Sequence, residues 1–441
     1  MFKNWIKESI SFKLIVIGIL FLLLMIPTSM IRSLIREREN RRDEVFREIN
    51  SKWGNSQTIK GPVISIPYKY HYKEDDKNKT TIEFAHFLPE NLTIKGDIHP
   101  EERYRSIYKV IVYNSVLHFS GNFKDLSFDS WKINQKDILW DEAYICIGIP
   151  DMRGINTEIN IAMNENSYTV DPGVRSNDLI KSGVSAPIKI NTKDSVHNFS
   201  FTLDVNGSET INFVPLGKTT NVAIQSVWTT PSFSGAFIPD NREISKDGFT
   251  ADWKILHLNR NYPQKWRGAK YKINNSAFGV DLLLPVDHYL KSERAIKYAI
   301  MFIALTFLVF FFTEILNKKR IHPIQYLLIG IGLLIFYSLL ISLSEHISFG
   351  WSYLIASTAI VTLITLYTKS TIGRIRITLT VFAILVALYV FLYTLLQLED
   401  YSLLMGSIGI FVALSLVMYL SRKVDWFAPI QFDPKINKKL D

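Results

Sequence analysis

The apolar residues of this chain are distributed in a way that leaves few folds open. Residues 14–31, between Lys13 and Arg32, form one apolar run without a charge; a polar stretch over about 32–297 follows, and the last third is again almost continuously apolar. About 18–20 mostly apolar residues are needed to cross a bilayer core as a helix. The layout therefore predicts a membrane protein with one large water-facing domain inserted between its first and second spans. Five further spans are expected near 298–316, 324–343, 349–367, 377–398 and 401–420. Ser344-Glu345-His346-Ile347-Ser348 and Glu399-Asp400 are links so short that they imply antiparallel helical hairpins.

Short loops set the expected orientation. Lys318-Lys319-Arg320, then Lys369, Arg374 and Arg376, then Arg422-Lys423 follow the even-numbered spans, and Lys3, Lys7 and Lys13 precede the first. The opposite loops hold Glu345, Glu399 and Asp400 but no Lys or Arg. Basic loops stay in the cytoplasm, so both termini are expected there, with residues 32–297 outside. Arg32, Arg36, Arg38, Arg41 and Arg42 dissent, nearly neutralised by Glu37, Glu39, Asp43 and Glu44; three concordant loops outweigh them. The first span reads as an uncleaved signal anchor, because its core is long for a signal peptide and no small-x-small site follows.

The formal charge of +9 gathers largely at span boundaries, which argues against a nucleic-acid partner. With Cys146 as the single cysteine, no intrachain disulfide and no cysteine-based metal cluster can form. Residues 36–50 are densely charged and free of Gly and Pro, which suits a helical stalk over 32–60 with opposite charges three and four residues apart.

From Gly61 the period changes. Pro62-Val63-Ile64-Ser65-Ile66-Pro67-Tyr68, Tyr108-Lys109-Val110-Ile111-Val112-Tyr113 and Val116-Leu117-His118-Phe119 read as strands, as do 155–161, 199–203 and 250–258. Asn206-Gly207, Asp247-Gly248 and Pro172-Gly173 are turn pairs, and Asn206-Gly207 predicts a hairpin between 201–205 and 209–213. The expected fold is an α-helical transmembrane bundle of six spans carrying a large β-rich extracytoplasmic domain over 61–297, an antiparallel sandwich or barrel-like. Five helices over 298–420 would complete the bundle, with a cytoplasmic tail at 421–441. Trp53, Trp131, Trp140, Trp228, Trp253 and Trp266 suit β-core packing. The stretch 226–240 is expected to be either a rigid surface loop presenting Trp228, Phe233 and Phe237 to a partner or a tight internal corner.

No catalytic constellation stands out: there is no Gly-x-Ser-x-Gly elbow, no His-Glu-x-x-His helix and no phosphate loop. Asp151 before Gly154 reads as a turn, and Met405-Gly-Ser-Ile-Gly409 as small residues that let helices approach. Ionisable groups at membrane depth are costly and often functional. Glu314, one turn before Lys318, suits an intrahelical pair, while Glu345 and His346 lie at an outer turn where they can reach water. With Gln325 they are the candidates for a transport path.

Taken in order, the residues resemble the CreD-type inner-membrane proteins of Gram-negative bacteria. The resemblance runs from Ile31-Arg-Ser-Leu-Ile-Arg-Glu-Arg38 through Gly61-Pro62, Leu88-Pro89-Glu90, Asp151-Met-Arg-Gly154 and Pro215-Leu-Gly217 to Ser226-Val-Trp228. It is densest over Pro285-Val-Asp-His-Tyr289, Ser292-Glu-Arg-Ala-Ile-Lys-Tyr298, Phe312-Thr-Glu314, Gln325-Tyr326 and Ser342-Leu-Ser-Glu-His346. Thr229-Thr230 ahead of Pro231 departs from the family pattern. The resemblance implies an inner-membrane protein linked to cell-envelope integrity and stress response, with no reaction and no cofactor. The lipid bilayer is one expected partner; the other is an unidentified envelope protein, lipid or cell-wall component bound by a periplasmic module. The alternative is a transporter or lipid-handling protein using the polar residues of the bundle.

Overall fold

The computed structural model describes residues 10–192, 194–282, 288–317, 319, 321–398, 401–422 and 424. Lys3, Lys7, Lys318, Arg320, Glu399, Asp400 and Lys423, used above for orientation, lie outside these residues, as does most of the tail at 421–441. The chain forms two compact units, Met1–Arg42 with Val286–Asp441, and Asp43–Pro285.

The first unit is helical. Helix α1 (Ile10–Trp53) is followed, after the second unit, by α2 (His288–Leu316), α3 (Pro323–Ser344), α4 (Phe349–Ile372), α5 (Ile375–Gln397) and α6 (Ser402–Ser421). Six helices among the described residues are long and apolar enough to cross a membrane. Pro27 lies inside α1, where the Thr28 and Ser29 hydroxyls donate to the Leu24 and Ile26 carbonyls of the preceding turn, at 2.7 Å each. Such bonds return a helical hydroxyl to its own backbone, whereas the carbonyl that Pro27 leaves without an N–H partner is that of Leu23. At Gly330 of α3, an added Cβ would lie 2.1 Å from the Leu24 side chain of α1. Gly409 plays the same part under Phe391, as expected of small residues between helices. The interior is built from Phe302, Phe307, Leu333, Phe336, Tyr353 and Leu385 with their neighbours. By contrast α6 buries only Gly406.

The second unit begins inside α1. Its stalk segment is helical to Trp53, and strand pairing starts at Gln57, ahead of the Gly61 read from the sequence. Trp53 Nε1 donates to the Tyr113 carbonyl at 3.1 Å, the Arg103 guanidinium lies 4.0 Å over the Trp53 ring, and Arg105 pairs with Glu48. The strands are β1 (Gln57–Glu74), β2 (Lys77–Phe87), β3 (Asn91–Arg105), β4 (Tyr108–Lys124), β5 (Tyr144–Gly148), β6 (Asn160–Met163), β7 (Asn166–Thr169), β8 (Asp171–Pro172) and β9 (Gly183–Pro187). They continue with β10 (Val196–Ser208), β11 (Thr210–Phe213), β12 (Thr219–Ser226), β13 (Pro231–Gly235), β14 (Asn241–Ser245), β15 (Gly248–Leu256), β16 (Lys265–Arg267) and β17 (Phe278–Leu282).

Two sheets result. One runs β13-β17-β11-β1-β5-β9-β8, with β2 also on β1 and β16 on β2; the other runs β14-β15-β12-β3-β4-β10-β6-β7. Neither closes into a barrel, and both are mixed rather than antiparallel, because β1 runs parallel to β11 and β3 to β12. Residues from both share one core, including Ile64, Ile66, Ile94, Leu117, Phe201 and Trp253. On β15 the burial alternates from Phe249 onward, and Trp253 and Trp266 are buried as core residues. Pro62 lies within a register shift between Lys60 and Val63, a break in the ladder that accommodates its missing N–H.

Two strand readings are corrected. Asn206-Gly207 is no hairpin: β10 continues through it, pairing Asn206 with Asn114 and Gly207 with Tyr113, and the chain crosses to the other sheet at Glu209 with φ 61°. Gly207 is required by the Tyr113 hydroxyl, which would lie 2.3 Å from an added Cβ. Asn206 is held by side-chain bonds to Asn114 and Asn156. The stretch 155–161 is strand only at its end, because Met152–Gly154 forms a 3-10 turn and Ile155 makes a lone bridge to Val205. Asp247-Gly248 does close the β14–β15 hairpin.

Candidate functional site

The one fully buried carboxylate among the described bundle residues is Glu314, in the last turn and a half of α2. Its partners are on other elements. Lys13 of α1 meets its carboxylate, the Ile321 N–H donates to Oε1 at 3.0 Å, and the Tyr326 hydroxyl of α3 donates to Oε2 at 3.0 Å. Lys13 Nζ also donates to the Ile321 carbonyl at 3.1 Å. The Phe307 ring stands edge-on to Tyr326 at 5.6 Å. A buried carboxylate is tolerable when its charge is paired and its lone pairs are filled, and both conditions hold here. Lys318, the intrahelical partner expected for Glu314, lies outside the described residues; the contacts described form a clamp joining α1, α2 and the α2–α3 link to α3.

Gln325 has a different task. Its Oε1 accepts from the His322 N–H at 2.9 Å, while His322 Nδ1 accepts from the Ile324 N–H, so the pair caps the start of α3. Glu345 ends the same helix, 20 residues and about 30 Å further along. A carboxylate there opposes the helix dipole; it is offset by the Tyr289 hydroxyl, donating at 3.2 Å, and by Arg38 at 3.8 Å. Arg42 lies 5.6 Å over the Tyr289 ring. His346 is exposed. Glu314 and Gln325 thus sit at one end of the bundle and Glu345 and His346 at the other, with the aromatic core between.

In the β unit, Trp228, Phe233 and Phe237 are half-buried against the core. Phe233 sits on β13 and meets Phe249 and Trp253 edge-on at 5.7 and 5.8 Å, and Phe237 meets Phe278 at 6.0 Å. Asp151 caps its 3-10 turn: it accepts from the Arg153 and Asn55 N–H groups and takes two bonds from the Arg153 guanidinium, which hold its carboxyl down to about 2.

Sequence reasoning missed one polar string. Ser65 Oγ lies 2.8 Å from His86 Nδ1, and His86 Nε2 lies 3.4 Å from Asp178 Oδ2. The residue types are those of a hydrolytic triad, but the order is reversed. A nucleophilic serine must face substrate, with the acid behind it; here Ser65 and His86 are each 1% exposed and Asp178 is at the surface. No local motif could have revealed it, because only β1–β2 pairing places Ser65 opposite His86. Among the described residues no group of three His, Cys, Asp or Glu side chains is arranged to hold a metal ion.

A model of the family described as inner membrane protein CreD matches residues 9–427. The chain is also 34% identical over 417 residues to the inner membrane protein CreD of Escherichia coli (strain K12), covering 92% of this chain and 91% of that relative. The chain belongs to the CreD family. The CreD match takes in all six candidate spans and both β-sheets, so the helical unit is that of an inner-membrane protein. Within the CreD fold described here, the Glu314 clamp and the Glu345 turn are the two polar sites of the bundle that sequence reading singled out.

Proposed function

We propose that this CreD-family protein supports the integrity of the cell envelope and its response to stress, through a β domain on the periplasmic side that acts as a membrane-tethered binding module. Both termini are then cytoplasmic, and the role is not enzymatic. The observation that carries this reading is a domain with its own two-sheet core inserted between two membrane helices, so that both of its chain ends are anchored. The basic loops at 369–376 and 422 support the orientation. The reversed Ser65–His86–Asp178 string supports a binding role over hydrolysis.

Orientation is tested by cysteine labelling in whole cells with a membrane-impermeant maleimide. Native Cys146 is buried, with its thiol pushed up to about 12 by burial, and stays silent. Lys77→Cys should label from outside and Arg374→Cys only after permeabilisation; the reverse pattern refutes the topology. The module reading is tested by mass spectrometry of lipids and proteins co-purifying in native lipid discs, against a variant lacking residues 57–282. Partners retained by that variant would move the function to the helices.

A further inference from the structure

The β1–β2 ribbon extends beyond the core: residues 69–74 and 77–82 are exposed on both faces. At its base, where β16 ends at Arg267 and leaves the β2 edge open, lies a cavity of about 710 Å³. That volume is in the range of small-molecule sites, about 300–1,000 Å³. Its wall includes Tyr70, Glu83, Phe84, Asn177, Asp178 and Arg267.

The two carboxylates are held from behind by buried side chains. Glu83 accepts a 2.5 Å bond from the Tyr68 hydroxyl, and Tyr68 is fully buried. Asp178 is fixed by His86, which Ser65 fixes in turn, and by its own N–H donating to Ser176 Oγ at 3.2 Å. Binding groups locked by a supporting layer of partners are the mark of a prepared site. The reversed string has its purpose here: it presents an oriented acceptor to the cavity rather than activating a serine. Arg267 and Lys270 supply donors of opposite charge in equal number, and Asn177 adds an amide. Tyr70 and Tyr72, two apart on β1 and so on one ribbon face, carry the site outward as nearly parallel rings, 14° and 6.1 Å apart.

Each feature narrows the ligand. Two fixed carboxylates oppose a phosphate or polyanion, two cations oppose a polyamine, and an apolar ligand would leave all four charges unanswered. What satisfies them together is a neutral molecule dense in hydroxyl or amide groups, with a flat C–H face for the tyrosines. We propose that this cavity and the Tyr70–Tyr72 face form a saccharide-binding site. The inference rests on the reading of the β domain as a periplasmic binding module, and it names the module's ligand class.

The test is calorimetric titration of the full chain in lipid discs with chitotetraose and, separately, cellotetraose. Binding of either is expected, and a difference between them reports on the N-acetyl groups. The double variant Tyr70→Ala/Tyr72→Ala should weaken binding about tenfold or more, and Asp178→Asn should weaken it several-fold. Lys95→Ala, at an exposed position on β3 of the other sheet, should leave it unchanged. All four replaced residues lie at the surface, and an unaltered thermal unfolding profile confirms the fold. Equal binding by the double tyrosine variant overturns the site while sparing the module reading. Failure of both tetrasaccharides to bind overturns the ligand class, and the co-purification experiment then decides the module reading independently.

Discussion

The Glu314 clamp makes an asymmetric prediction. Lys13→Met would remove the cation and leave a carboxylate that is 0% exposed, still bonded to Tyr326 and the Ile321 N–H but without a countercharge. Breaking a buried pair from one side costs about 3–5 kcal/mol. The reciprocal change, Glu314→Gln, leaves Lys13, whose side chain is 15% exposed and already bonded to the Ile321 carbonyl. A long cationic side chain at that depth can turn toward water, so this variant should cost less, roughly 1–3 kcal/mol. Combining the two removes both charges and keeps the amide contacts to Tyr326 and Ile321. The double variant should then be more stable than Lys13→Met alone, with a coupling of at least about 1 kcal/mol in the double-mutant cycle. The assay is thermal unfolding of purified protein in one detergent, followed by tryptophan fluorescence and by retention of a monodisperse species. If Lys13→Met is no worse than Glu314→Gln, or the double variant falls by the sum of the singles, the clamp reasoning is wrong and the pair is a solvent-screened contact.

Three further outcomes follow from the β unit. Arg260 is 7% exposed and donates to the carbonyls of Tyr262, Leu216 and Gly217, so Arg260→Ala should destabilise the domain by roughly 3 kcal/mol or more, read by urea unfolding. Asp151, held at about 2 by Arg153 and backbone N–H groups against an ordinary 3.8, contributes stability that is fully present above pH 4 and lost as pH falls toward 2. That shift is worth about 2 kcal/mol at most, and Asp151→Asn should flatten the pH dependence of unfolding in this window. Gly207→Ala should cost roughly 1–3 kcal/mol through its clash with Tyr113; a hairpin turn at 206–207, by contrast, would be perturbed through its backbone conformation.

The spans were legible because a bilayer imposes a length and a polarity that few other environments demand. Helix ends observed at Leu316, Ser344 and Gln397 lie within a residue or so of where the apolar runs stop. Much of the β content was legible for the same kind of reason, since β10 and β15 alternate with the period of a half-buried sheet. Pairing was not. Parallel neighbours such as β1–β11 and β3–β12 are separated by long stretches of chain, and nothing in either strand names its partner.

The Asn206-Gly207 misreading shows why. Glycine is selected either because the backbone must reach positive φ or because a neighbour occupies the space of a Cβ, and the letter alone does not distinguish them. At Gly248, with φ 135°, both reasons apply and the hairpin forms; at Gly207 only the second applies, and the residue that imposes it, Tyr113, is 94 positions away in the sequence. The candidate sites divide along the same line. Glu314 was recognisable as a charge at membrane depth, but its partner Lys13 read as one more cation flanking a span. Nothing in the sequence sets Asp178 and Glu83 apart from other acids, because what prepares them, His86 and Tyr68, is brought to them by the fold. A site whose side chains are individually commonplace becomes visible only when the buried residues behind them are seen holding them in place.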